Sequence, residues 1–393
     1  MLNSLKSMTK QEKKQKFLEI KPYLIVLLVP WAFTVLFSGL FSPIFVENMP
    51  IAIYDMDRSA TSREVVGYFY DSPALSITED ISSSEEIEEK LLKGEILGAI
   101  ILPEDFGKDL NGKKGAEAIV FMDNTNFMYG NNLMSAINTI FENVNAGIQM
   151  KLLEAGSLVP YQAEQSVYTL NLIDRILYNP QLGYYYYLFA GLLSIFVQQA
   201  FLAAGVPILI EEKNRIRDLP MSLNKELIEV KMSLMIRRFM LIVGCSMISL
   251  MLCLKTAMKM TGFPMEGSIF TLLLFEIVFL GAMTGMALVI ASVFEQVEHA
   301  VQFTMFLTIP TFLCSGFAWP EYMMAPGFAP VMKAIWPLYY YITPMKDVML
   351  KGVSLDILSP YLIGCIIFAA VWVPIGLLMF SRKIKMIRKL HQS

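Results

Sequence analysis

The stretch Gly107-Lys-Asp-Leu-Asn-Gly112-Lys113-Lys114 has the glycine and lysine spacing of a phosphate-binding loop, but a second lysine stands where a hydroxyl for Mg²⁺ belongs. It follows Pro103-Glu-Asp-Phe106, which reads as a helix start, whereas a phosphate loop leaves a buried strand. The stretch is expected to be a polar surface turn, and no other segment offers a Walker-like loop. Asp55 and Asp57 lie in Asp-Met-Asp-Arg-Ser, which lacks the glycine and distal glutamate of a calcium loop. They read as a capping turn, and Glu85-Glu-Ile-Glu-Glu89 reads as a solvated helix face. His299, His391 and the four cysteines (Cys245, Cys253, Cys314, Cys365) do not form a zinc-binding spacing. With no nucleophile–base pair, metal spacing or phosphate loop, a membrane enzyme finds no support.

The polar residues of most interest are instead embedded in apolar blocks. Of the 393 residues, 55% are hydrophobic and 17% charged, with a mean hydropathy of +0.51, too apolar for an ordinary soluble protein. Pro22–Val46, Leu182–Ile210, Ala300–Pro320 and Ile357–Phe380 carry no charge, and Gly267–Phe294 carries only Glu276. Each is long enough to cross about 30 Å of hydrocarbon. Phe239–Leu254 is shorter, flanked by Arg237, Arg238 and Lys255, whose stems can reach the headgroups. The reading is a polytopic α-helical membrane protein with six transmembrane helices. An acid near a helix centre costs on the order of 3 kcal/mol, so Glu276 must face the bundle or a cavity, as part of a transport path or as a hydrogen-bonded packing group. Gln198, Gln199 and Gln302 are weaker candidates for the same path. The four cysteines sit in spans as small packing residues.

Charge sets the expected orientation. Residues 1–21 carry six lysines, residues 211–238 seven basic residues and residues 381–393 five. With six spans all three face one side, which the positive-inside rule makes cytoplasmic. Both termini are then inside, and residues 47–183 lie outside. Residues 46–183 hold 21 Asp and Glu against 9 Lys and Arg, while the remainder holds 14 against 23. An acidic domain thus accompanies a basic membrane body, within a chain of net charge −3. The N-terminal run is too long, and lacks the small-residue site, for a cleaved signal. Residues 1–21 are expected to form an amphipathic segment on the inner leaflet, attracted by anionic lipids.

Within the acidic segment, residues 50–54, 97–102 and 118–122 read as buried strands, and 59–70 and 83–93 as helices, the latter capped by Ser83 or Ser84. A long helix is expected over 133–153. These elements make the domain a large extracytoplasmic α/β domain between the first and second spans. Residues 322–345 contain four prolines and Lys333, so a broken, re-entrant segment is expected there, within an extracytoplasmic stretch 321–352.

Several short motifs resemble a family. They are Asp55-Met-Asp57-Arg-Ser59 with Ser62-Arg63, Arg175-Ile-Leu-Tyr178-Asn179-Pro180, Glu211-Glu212-Lys213, Ser315-Gly316-Phe-Ala-Trp-Pro320 and Leu350-Lys351-Gly352. In order and placement they resemble the membrane half of bacterial ABC type-2 exporters, over nearly the whole chain. The sequence departs from that pattern at Asn214–Ser222 and at Trp336-Pro-Leu-Tyr339. The resemblance implies a permease subunit with the type V exporter fold, working as a dimer in a bacterial inner membrane. Each half docks a separate cytoplasmic ABC ATPase, which binds the ATP and Mg²⁺; this chain binds no cofactor or nucleic acid. A periplasmic adaptor and membrane lipids are further partners. The substrate class implied is an amphipathic or hydrophobic compound moved outward.

Coupling to the ATPase needs a stiff charged element. Residues 211–231 are expected to supply it as a short amphipathic helix broken at Pro220, with Glu211, Glu212, Lys213, Arg215, Arg217 and Asp218 as its docking face; Glu295 and Glu298 are a second contact. The plainer alternative is a solvated loop kept inside by its positive charge. A non-transporting membrane scaffold, whose external domain binds a partner, would show much of the same pattern. No inverted repeat of spans is visible to support an ion-driven carrier.

Overall fold

The computed structural model describes residues 10–41, 47–81, 83–111, 116–125, 127–154, 177–179, 184–217 and 225–390. The chain divides into a helical unit (1–42 and 185–393) and a smaller unit (43–184).

In the smaller unit the strands are β1 (Met49–Asp55), β2 (Leu75–Asp80), β3 (Gly98–Leu102) and β4 (Ile119–Met122). They form one sheet in the order β2-β1-β3-β4, with β1 parallel to β2 and β3, and β4 antiparallel to β3. Isoleucine-rich β1 and β3 occupy the centre because side chains on both faces are covered. Ile51, Ile53 and Ile100 meet Val65 and Phe69 of α2 (Ala60–Tyr70) and Leu133, Ile137 and Ile140 of α5 (Phe127–Glu154). On the other face Ala52, Ala99 and Ile101 meet Ile87 of α3 (Ser84–Lys93). Ser83 caps α3 by accepting the Glu86 N–H at 3.3 Å, and Gly94 ends it at φ 69°. The α/β expectation holds for the described residues with one addition: β2 lies between the two helices, where no strand was expected. Leu75-Ser-Ile-Thr-Glu-Asp80 carries only two apolar side chains and is an edge strand, so its apolar signal is weak.

The phosphate-loop look-alike falls on α4 (Phe106–Asn111); residues 112–115 lie outside the described residues. One expectation needs correcting, because buried β3 does precede this segment by three residues. What sets it apart from a phosphate cradle is that the Gly107 N–H donates to Asp57 Oδ2 at 3.0 Å. A Cβ at 107 would come 2.4 Å from Ser59 Oγ, so glycine is required for that approach. Hydrogen bonds from the Ser59 side chain, then from the Gly107 amide, hold the Asp57 carboxyl below its usual range. Asp55 accepts from the Arg58 N–H and Ser62 Oγ, and Ser59 caps α2. The two aspartates thus form the capping turn their spacing suggested.

In the helical unit five helices are long and apolar enough to cross a membrane, with candidate spans Glu19–Leu40, Tyr184–Ile216, Ser233–Thr261, Ile269–Val293 and Leu355–Met386. They belong to α1 (Lys10–Leu40), α6 (Tyr184–Arg217), α7 (Lys225–Thr261), α8 (Ile269–Val293) and α12 (Leu355–Leu390). The sixth expected span, 300–320, corresponds to α9 (Val297–Leu313), whose 17 residues make about 25 Å of helix, near the lower limit for spanning. It is shorter than expected because Gly316 takes φ 82° and Phe317 and Trp319 follow in non-helical backbone. The third span, expected at 239–254, extends well beyond both ends. Helix α1 runs unbroken through Pro22 and Pro30, so residues 10–21 are not a separate surface helix. Residues 1–9 lie outside the described residues. Helix α12 likewise carries the basic tail as far as Leu390.

The segment 321–352 is broken, as its prolines demand, into a 3-10 turn (Glu321–Met323), α10 (Phe328–Ile335) and α11 (Tyr339–Lys351). Lys333 pairs with Glu321 at 2.6 Å and lowers its pKa, and Tyr339 donates to the same carboxylate. Gly352 closes α11 in the left-handed region. Helix α8 packs along α12 and touches α7 and α11, and α1 packs along α7. Across α1 and α7, Ser249 Oγ donates to the Leu27 carbonyl at 3.0 Å and Trp31 Nε1 to Thr256 at 3.1 Å.

Candidate functional site

Helix α6 does not stop at the end of its apolar stretch. It continues through Glu211–Arg217 as the same helix, so the expected separate amphipathic helix is instead a rigid extension of a membrane span. Asp218, Pro220 and Asn224 lie outside the described residues, as does the side chain of Arg217. A continuous helix transmits rotation and translation with less loss than a hinged piece.

The extension is tied into the bundle by two charged residues. Lys213, 1% exposed, donates from Nζ to the carbonyls of Ala291 and Phe294, each at 2.6 Å. These carbonyls belong to the C-terminal end of α8, where helix geometry leaves acceptors without intrahelical partners and the dipole favours a cation. Glu212, 5% exposed, accepts from Arg238 of α7 at 2.7 Å and from Arg215 at 3.1 Å. Three helices are thereby joined at one end of the unit. The expected docking face is therefore divided: Glu212 and Lys213 are buried in this brace, whereas Glu211 and Arg215 are exposed. The Lys213–Phe294 contact also brings the second candidate stretch alongside. There Glu295 pairs with Lys383 of α12 at 3.2 Å, and Glu298 is exposed on the first turn of α9.

Glu276 is fully buried on α8. Ser246 of α7 donates to its Oε1 at 2.8 Å, and Tyr341 of α11 donates to its Oε2. The Tyr341 ring stacks on Phe279 one turn along α8, with centroids 4.1 Å apart. Both carboxyl oxygens are engaged within the protein, which makes Glu276 a node between α7, α8 and α11. Gln198 is equally enclosed: its Oε1 accepts from Trp336 at 2.9 Å and its Nε2 reaches Thr311 at 3.5 Å. Gln302 is exposed and does not join the other two glutamines.

Gln199 differs from these. Its Oε1 accepts from Thr308 of α9 at 2.7 Å, while its buried Nε2 has no partner among the described residues. Gln199 and Thr308 form a polar spot in an otherwise apolar groove of about 590 Å³ between α1, α6 and α9. Val29 and Phe33 line one wall, Ala203 and Pro207 the floor, and Val301 and Met305 the other wall; Lys21 and Glu211 stand at one end. An apolar hollow with few polar groups suits an amphipathic ligand. Of the functional partners, Tyr341, Ser246, Thr308 and Arg238 were not singled out as site residues from sequence. Only Arg238 carried a signal, as a charge in an apolar setting.

The bundle, the charged extension of α6 and the groove can be set beside known proteins. The profile of the family described as ABC-2 family transporter protein matches residues 21–378. The chain is similar to the inner membrane transport permease YhhJ of Escherichia coli (strain K12), with 22% identity over 367 residues covering 93% of each chain. It is also similar to the probable multidrug ABC transporter permease YbhR of the same strain, with 24% identity over 383 residues covering 95% of each. No solved structure matches. The family match takes in most or all of each of the five long apolar helices and the α/β unit between the first and second, and on that ground the chain belongs to the ABC-2 family of transporter proteins.

Proposed function

We propose that the chain is the membrane permease subunit of an ATP-driven exporter in a bacterial inner membrane. It moves an amphipathic or hydrophobic compound outward, as a dimer powered by a separate ABC ATPase. In this reading α9 is the sixth span, both termini and the charged end of the bundle are cytoplasmic, and the acidic α/β unit is outside, where it can meet an adaptor. ATP and Mg²⁺ belong to the ATPase, and catalysis of hydrolysis with them. The names of the relatives, a transport permease and a probable multidrug permease, support the export of small compounds.

The observation that carries the reading is the unbroken α6, with its end locked onto α8 and α7 through Lys213 and Glu212. A force applied at Glu211, Arg215 or Glu298 would move whole helices, because the contacts behind them are buried and hydrogen-bonded. Glu211, Arg215 and Glu298 form the docking surface; Glu212, Lys213 and Glu295 brace it, and Arg217 and Asp218 extend it. Gln199 marks the path of the carried molecule along the groove. Gln198 and Glu276 hold the adjacent helices, and Gln302, exposed on α9, is left outside the groove.

The test is purification of the detergent-solubilised chain from its own cells. An ABC ATPase is expected to accompany it in near-equal amount, and Glu298→Lys, which reverses an exposed charge, should reduce that recovery by about tenfold. A chain that purifies with no ATPase under conditions preserving the complex would refute the transporter reading and favour a scaffold.

A further inference from the structure

The groove between α1, α6 and α9 has two unlike ends. One carries Lys21 and Glu211; at the other the last lining residues are Phe33, Ile195, Phe196 and Thr308. About one helical turn beyond Ile195 on α6 is Gly191, and one turn beyond Thr308 on α9 is Phe312. The ring of Phe317, 6% exposed, stands between them. Gly316, at φ 82°, turns the chain out of α9, and Ser315 Oγ accepts the Phe317 N–H at 3.4 Å. The ring then stacks on Tyr187 of α6 with centroids 4.8 Å apart, and Tyr187 Oη donates to the Phe317 carbonyl at 3.0 Å. Phe312 flanks the ring at 5.8 Å. The ring fits because position 191 has no side chain: a Cβ there would lie no more than 2.8 Å from three of its carbons. On the α1 side, Phe33 stacks on Phe196 at 4.4 Å. Lys346 of α11, paired with Asp347 at 3.6 Å, stands 5.8 Å from the centroid of Phe317, so a charged pair adjoins the ring where the apolar walls stop.

We propose that Phe317 is a stopper. Its ring closes the groove at the end of the bundle where the chain leaves for the α/β unit, and a molecule in the groove passes that end only when the ring swings off Gly191. An apolar constriction of this kind excludes water and polar solutes without any bond having to form. The hydrogen bonds at the turn are made by backbone atoms of Phe317, so its side chain can rotate about χ1 while the turn stays in place. That the groove holds the carried molecule rests on the transport reading; the closure rests on the contacts of the ring.

The experiment uses the full chain in spheroplasts, with the native cysteines changed to alanine and one probe, Thr308→Cys, in the groove. A charged, membrane-impermeant methanethiosulfonate is applied from outside. Leu92→Cys in the same background reports which side the α/β unit faces. If it reacts only in inverted vesicles, the same comparison is made there, so a wrong orientation is not mistaken for a wrong stopper. With the ring in place Thr308→Cys should react slowly beside Leu92→Cys. Phe317→Ala should raise its rate about tenfold, and so should Gly191→Ala, which keeps the ring but fills its seat. Phe317→Leu, which keeps apolar bulk, should leave the rate low. So should Phe306→Ala, at a 75% exposed position on α9, which separates an opened end from a loosened helix. Thermal unfolding checks that each variant is folded; if neither Phe317→Ala nor Gly191→Ala is, the rate with the ring in place decides. Fast reaction of Thr308→Cys beside an intact Phe317, an unchanged rate in the folded ring and seat variants, or an equal rise with Phe306→Ala would each overturn the proposal.

Discussion

Lys213 shows how a single side chain can change meaning between sequence and structure. In the sequence it is one of several charges beyond a span, and an exposed docking residue is a natural expectation. In the fold its ammonium is buried against two carbonyls at the end of α8. Removing it takes a charged donor from both carbonyls, at about 1–3 kcal/mol for a buried group left unpaired. Lys213→Met should therefore lower the unfolding midpoint of the detergent-solubilised chain by several degrees, whereas Glu211→Gln, two residues away and exposed, should leave it unchanged. Equal midpoints for the two variants would contradict the brace. Glu276 was easier to read: an isolated acid in an apolar block has to be buried. Its partners were not readable, since Ser246 lies 30 residues before it and Tyr341 65 after it.

Among the elements, the pairing of α8 with α12 depends on a close approach of backbones. A Cβ on Gly285 would stand 2.8 Å from the Trp372 carbonyl carbon and 2.9 Å from the Val373 nitrogen, and Gly376 faces the Gly285 carbonyl from the other side. Small residues at such a crossing let the dispersion contacts of two helices add up where no hydrophobic drive exists in lipid. Gly285→Ala must push α12 away, since the obstruction is backbone that cannot rotate aside. A loss of about 1–3 kcal/mol is expected. Gly281→Ala, one turn earlier with nothing within 4 Å, should be neutral or mildly stabilising because alanine favours helix. Thermal unfolding of the two variants side by side separates a packing role from a general effect of glycine. Neither glycine is distinguishable in the sequence. The short α9 and the fusion of residues 211–217 with α6 were missed for a related reason: local composition does not say where a helix stops when its neighbours can stabilise either ending; β2 was missed because an edge strand with two apolar side chains gives a weak signal.

For the whole molecule the testable question is which compartment each part faces. The acidic unit and the basic ends of the bundle should lie on opposite sides of the membrane. Leu92→Cys, at an 89% exposed position in the acidic unit, should react with a membrane-impermeant maleimide in intact cells or spheroplasts. Met386→Cys, 57% exposed near the end of α12, should react only after permeabilisation. Cys245, Cys253 and Cys365 lie in apolar helices and Cys314 just past the end of α9, and together they set a background measured in the parent chain. The reverse labelling pattern would invert the topology and remove the ATPase from reach of Glu211 and Glu298.

What the linear order of residues determined on its own was the solvent of each segment. Long apolar runs, the charge split and the prolines of 321–352 were sufficient for a membrane bundle, an inserted α/β unit and a broken segment, because hydrophobic transfer and backbone hydrogen bonding act over a few neighbouring residues. Which charges face outward was decided only by the tertiary structure. Glu212 and Lys213 turn inward because helices far apart in sequence bring Arg238 and the end of α8 to them, and Gln199 opens into a groove because α1 and α9 pack on either side. Those outcomes depend on distances between remote segments, and no local pattern encodes them.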